Sequence, residues 1–200
     1  MGTRFLEHED LKYLQTLALF FDMDSKSFLE ANRLCQNELK LRTTEELRAF
    51  PGGLNFPFAL YVFATIEVFA AAHSGNQNVT AKQVGKFMSH YLGPRNADFQ
   101  DADFCEALFN VYRNGLAHEG SPKKAGVAVQ PSRVEIISQE RDVLLINLPP
   151  FVTITASGID EYLNGVEFDE KLAANFKKWK TSIDGQREDK INILTAMLKK

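Results

Sequence analysis

Cysteine is scarce in this 200-residue chain, with only Cys35 and Cys105, which are far apart and in no CxxC pair. That excludes a disulfide scaffold and a cysteine-built zinc site, and leaves two buried free thiols as the expectation. Histidine is nearly as rare: His8, His73, His90 and His118 are scattered along the chain, without HExxH spacing. Neither a metal site nor a cofactor is expected from them. The chain also lacks a glycine-rich phosphate loop ending in Lys-Ser or Lys-Thr, a GxGxxG after a strand and a GxSxG elbow, so the common nucleotide-binding and hydrolase templates are absent. There is no excess of positive charge. With 23 Lys and Arg against 26 Asp and Glu, the net charge is -3 and the isoelectric point about 5.8, which excludes nucleic-acid coating by bulk charge and leaves only a local basic patch.

Long apolar runs are missing as well. The longest, Phe56 to Ala72, is interrupted by Pro57 and Glu67 and falls short of the ~20 residues of a bilayer span, so it is expected to be a core helix. The first ten residues carry Arg4, Glu7, Glu9 and Asp10 and no apolar stretch, which argues against a secretory signal, and Leu6 breaks the myristoylation pattern. The expected location is cytoplasmic, with no membrane partner.

What is present is a folding composition, 44% hydrophobic and 24% charged, with only 12 Gly and 7 Pro. One domain spanning residues 1–200 is expected. Residues 1–50 read as an N-terminal helical hairpin: one apolar stripe runs from Phe5 to Phe21, Asp24-Ser25 offers a cap for a second helix, and Phe50-Pro51-Gly52-Gly53 breaks the pattern. Residues 56–120 read as the core helices. Pro57 suits a first turn, Ser74-Gly75-Asn76 ends the long apolar helix, Thr80 caps another that stops at Gly93-Pro94, and Asp98 or Asp101 starts a third. Short β-branched runs at 127–129, 133–137 and 143–148 predict a small antiparallel hairpin insert over 127–155, with Val152 to Thr155 as a third strand. Helical patterning returns from Ser157 to the end. The 16 phenylalanines, at helical spacing, are expected to fill the core.

One run does not fit a purely structural helix: Tyr112-Arg113-Asn114-Gly115-Leu116-Ala117-His118 gathers Arg, Asn and His at the end of an apolar segment. It resembles the signature of the HEPN superfamily (higher eukaryotes and prokaryotes nucleotide-binding), an Arg followed by a polar residue and, after four intervening positions, a His. The resemblance covers roughly Phe56 to Gly120 and includes the acid-bearing apolar helix with Glu67. It implies a mainly α fold, a HEPN-like antiparallel helical bundle carrying the β-hairpin insert, and a homodimer. In catalytic members it implies a metal-independent endoribonuclease, as found among toxins and defence proteins, with RNA as substrate and a cognate antitoxin or other protein as partner. The alternative is a non-catalytic HEPN-like module for protein or nucleotide binding.

The residue types suit the first reading. A neutral His118 can accept the proton of an RNA 2′-hydroxyl, Arg113 can neutralise charge growing on phosphate oxygens, and Asn114 can orient either. Lys123 and Lys124 can add phosphate contacts, or simply be solvated loop lysines. Glu67 either holds Arg113 or His118 in place or points to solvent, and His118 can equally be a helix C-terminal cap. Geometry adds a constraint: on an undistorted helix Asn114 and His118 lie ~40° apart, but Arg113 and His118 ~140° apart. Bringing Arg113 to His118 therefore requires a break near Gly115 or a second copy across a two-fold axis.

Overall fold

A computed structural model of the chain describes residues 3–40, 55–115, 125–140 and 142–198, and the side chains of these except 32–40, Asn114 and Leu198. The protein is mainly helical with one small three-stranded sheet. Helix α1 spans His8–Lys40, α2 Asn55–Ser74, α3 Ala81–Tyr91, α4 Ala102–Phe109, α5 Leu148–Val166 and α6 Glu170–Leu198; the strands are β1 Ala125–Ala128, β2 Ile137–Glu140 and β3 Val143–Asn147.

Helix α2 is the centre of the molecule. Apolar on almost every side, it buries Phe58, Val62, Phe63, Ile66, Phe69 and four alanines, and α1, α3, α5 and α6 all pack on it. Its length and composition would also let it cross a membrane, but half of its apolar window is covered by the rest of the protein. Pro57 lies in its first turn, where a missing N–H costs nothing. At the other end Gly75 takes φ +71°, and Asn175 of α6 donates to the His73 carbonyl at 2.8 Å, so the helix closes as its sequence implied. Helix α3 starts with a capping box between Thr80 and Gln83, and α4 with Asp101 accepting from the amides of Asp103 and Phe104. Phe58, Phe63, Phe69, Phe87, Phe99, Phe151 and Phe176 are fully buried, which is the core role their spacing indicated.

Three expectations are corrected. First, α1 does not divide at Asp24-Ser25. Ser25 is buried at 1% exposure and Asp24 accepts the Tyr61 hydroxyl at 2.8 Å, so both sit in mid-helix, where neither glycine nor proline interrupts the backbone ladder. The breaker at 50–53 lies outside the described residues. Second, the sheet is mixed rather than antiparallel. β3 is central, antiparallel to β2 (Ile137 opposite Ile146) but parallel to β1 (Ala125 opposite Leu144). The expected strand at 133–137 is mostly loop, and β2 instead runs from Ile137 to Glu140.

The loop between β1 and β2 is held by Asn147, which is 3% exposed. Its amide accepts from the Gln130 N–H and donates to the carbonyls of Gln130 and Arg133 at 3.0 Å each, while its backbone N–H reaches the Ile136 carbonyl at 2.7 Å. One buried side chain thus satisfies backbone groups of the loop that carries the chain across the sheet from β1 to β2. Third, Val152 to Thr155 is helix. Pro149 and Pro150 open α5 rather than end the sheet, since the first helical turn needs no amide donors. The helix therefore begins nine residues before Ser157, and Thr153 and Ser157 fit it by bonding back to the carbonyls of Pro149 and Thr153.

Candidate functional site

The polar run begins where α4 changes its winding. Asn110–Asn114 forms a π-helical turn, a form that occurs mostly as single turns and is frequent at functional sites. Tyr112, with 0% exposure, fixes it from inside: its ring stacks on Phe63 of α2 at 5.5 Å, and its hydroxyl lies 2.8 Å from the Gly126 carbonyl and 3.2 Å from that of Leu144. Burial pushes the Tyr112 phenol well above its ordinary pKa, so it stays a neutral donor tying the turn to β1 and β3.

With Tyr112 turned inward, Arg113 reaches α2. Its Nε donates to Glu67 Oε2 at 2.9 Å, and the two side chains remain 30% and 32% exposed. The sequence left two roles open for Glu67, and the contact made is with Arg113. A pair this accessible adds only ~0–1 kcal/mol to stability, because water screens it and two side chains must be ordered. Its stronger effect is orientation. The bond uses one of a guanidinium's five N–H donors, and the other four sit on the terminal nitrogens.

Gly115 itself shows no break, and the separation of Arg113 from His118 lies outside the described residues. Gly115 keeps right-handed helical angles, φ -61° and ψ -43°, and the departure is the π turn before it. An i→i+5 turn rotates less per residue than an α-helix, so successive residues of Asn110–Asn114 are spaced by less than the regular ~100°. His118, Lys123 and Lys124 lie outside the described residues, as does the side chain of Asn114. Of the six candidate residues, the structure thus brings Glu67 and Arg113 together.

A second cluster was not foreseen. His73, at the end of α2, lies 6.5 Å from His90 between ring centroids and packs edge-on against Phe87, Tyr91 and Tyr162. Burial lowers the His73 pKa, His90 and Lys171 lower it further, and Asp169 opposes them. Tyr162 Oη is buried without a partner among the described residues. Seventeen positions separate the two histidines, and only the α2–α3 packing unites them, so sequence spacing carried no signal. Among the described residues no group of three or more His, Cys, Asp or Glu side chains is arranged to hold a metal ion. Cys105 is buried, its thiol pushed up to about 12 chiefly by burial, which leaves it unreactive; the side chain of Cys35 lies outside the described residues.

No family model matches the chain, and neither a curated protein nor a solved structure matches it.

Proposed function

We propose that the protein is a HEPN-like RNA-cleaving protein, a metal-independent endoribonuclease that acts through Arg113, Asn114 and His118. The observation that carries this reading is the Arg113–Glu67 pair: a partly exposed guanidinium held through Nε by a carboxylate of the central helix, on a distorted turn inside the Arg-Asn-x3-His run. Anchoring at Nε suits a group whose terminal nitrogens must meet phosphate oxygens, because a pre-set planar fork loses little freedom on binding. In this mechanism neutral His118 takes the proton from the RNA 2′-hydroxyl and the freed oxygen attacks the adjacent phosphorus. Arg113 stabilises the charge on the non-bridging oxygens as the bond to the 5′-oxygen breaks. The products are a 2′,3′-cyclic phosphate and a 5′-hydroxyl, the departing oxygen being protonated by a general acid or water. A toxin or defence role, a cytoplasmic setting, a homodimer and a protein antitoxin belong to the same proposal.

A second reading, a non-catalytic HEPN-like module that binds a partner protein or a nucleotide, is favoured by two observations: the charge of Arg113 already has an acidic partner, and the whole chain is acidic. The two separate in one assay. Mixed RNAs incubated with the protein in EDTA are expected to yield cyclic-phosphate ends, and His118→Ala to reduce cleavage by at least about a hundredfold, the low end for losing a general base. RNA left intact by the wild-type protein sinks the nuclease and leaves the binding module.

A further inference from the structure

Seven of the thirteen large apolar side chains exposed among the described residues lie on two helix stretches, Leu19, Phe20 and Met23 on α1 and Ile191, Ile193, Leu194 and Met197 on α6. Such clustering, unlike scattered exposure, marks contact surfaces. The two stretches differ in form: one borders a groove and the other is the end of a long helix.

The α1 stretch borders a groove of about 540 Å³ between α1 and α5. Ala18, Phe21, Ile159 and Leu163 make its apolar lining, and it carries the carboxylates of Asp22 and Asp160 with no lysine or arginine. Asp22 also holds Lys26 at 2.6 Å, but those side chains are 49% and 73% exposed, so that pair is exchanged at little cost. The groove fits a helix with an apolar stripe and cations on the same face.

The end of α6 is such a helix. Every residue from Asp184 to Met197 is exposed, a projecting arm of about 20 Å at ~1.5 Å per residue. Arg187 and Lys190 stand one turn before Ile191 and Leu194, so two cations share the face of the apolar stripe. This arm does not meet its own groove: α6 is continuous through Leu198, and the neighbours of 183–191 are Gln77 and Asn78, beyond the end of α2.

We propose that the α6 arm docks into the α1–α5 groove of a second copy of this chain, reciprocally about a two-fold axis. Arg187 and Lys190 meet Asp22 and Asp160, while Ile191, Leu194 and Met197 cover the apolar lining. Reciprocity closes the assembly at two copies and doubles the area that one arm buries. The interface does not involve Arg113 and stands whether or not the protein cleaves RNA.

Sedimentation velocity at tens of micromolar tests it on the full chain. The wild type is expected at twice 22.6 kDa. Asp22→Lys/Asp160→Lys and Arg187→Glu/Lys190→Glu, all at exposed positions, are each expected to weaken the dimer by at least about tenfold, with unchanged far-ultraviolet dichroism. Mixing the two variants is the decisive arm: one docking site in the mixed pair is wild type and the other has both signs reversed, so the dimer returns. A monomeric wild type, a groove variant that dimerises like the wild type, or a mixture that stays monomeric overturns the proposal.

Discussion

His73 is held between α2, α3, α5 and the start of α6, and the groups around it are unequal in their effect. His90 of α3 and Lys171 of α6 favour its neutral form, as does burial beside Tyr91 and Tyr162; Asp169 alone pulls the other way. The folded-state pKa therefore lies below the ordinary 6.5. Above that value the imidazole is neutral in both states and contributes no pH dependence. As pH falls through it the unfolded chain binds the proton first, so stability is lost progressively until the folded state protonates too. Thermal melts between about pH 7 and pH 5.5 are expected to show a falling Tm, and His73→Phe, which keeps the aromatic packing, is expected to flatten the slope. An unchanged slope in that variant would assign the acid sensitivity to other groups. Residue types alone pointed to Arg113 and Glu67, because a lone acid and a lone Arg among apolar neighbours need an explanation. They did not point to His73 or Asn147, whose partners are backbone carbonyls and rings that sequence order does not bring near.

At the scale of elements, α3 and α4 pack at a distance that only a bare backbone allows. A Cβ on Gly85 would stand 2.5 Å from the Ala102 carbonyl and 2.8 Å from the Glu106 amide, both backbone atoms with no side-chain freedom to yield. Alanine gains about 1 kcal/mol in helix propensity over glycine, but the clash forces the two helices apart, and overpacking of this kind costs about 1–3 kcal/mol. Gly85→Ala is thus expected to lower stability by roughly 2 kcal/mol before the propensity gain, seen as a fall of a few degrees in Tm; a rise would mean the helices re-dock freely. Helix ends were legible because caps are local: Thr80, Asp101 and Pro57 act within four residues of themselves. The continuity of α1 was not, since Asp24 and Ser25 are adequate caps and only Tyr61 and burial assign them to mid-helix. The direction of β1 was hidden for the same reason, because a β-branched run fits a parallel or an antiparallel neighbour equally well.

For the molecule as a whole, stability is concentrated before residue 184. Trp179 packs with Phe176 and Tyr13, Lys180 reaches Asp10 at 2.6 Å, and after Ile183 every residue of α6 up to Met197 is exposed. A chain ending at Ile183 is expected to keep a cooperative melt and the near-ultraviolet signal of Trp179, losing only helical signal in proportion to its length. Disappearance of the aromatic signal would show that the arm supports the body. The amino-acid order by itself determined a helical protein with phenylalanines inside, several of its helix ends and the unusual Arg-Asn-x3-His run, because these depend on periodicity and on groups a turn apart. Only tertiary structure decided that Glu67 meets Arg113, that His73 meets His90, that β1 lies parallel to β3 and that an acidic groove coexists with an arm bearing Arg187 and Lys190 on its apolar face. Each of these joins residues distant in the chain, and such contacts are set by how whole faces pack rather than by any local preference.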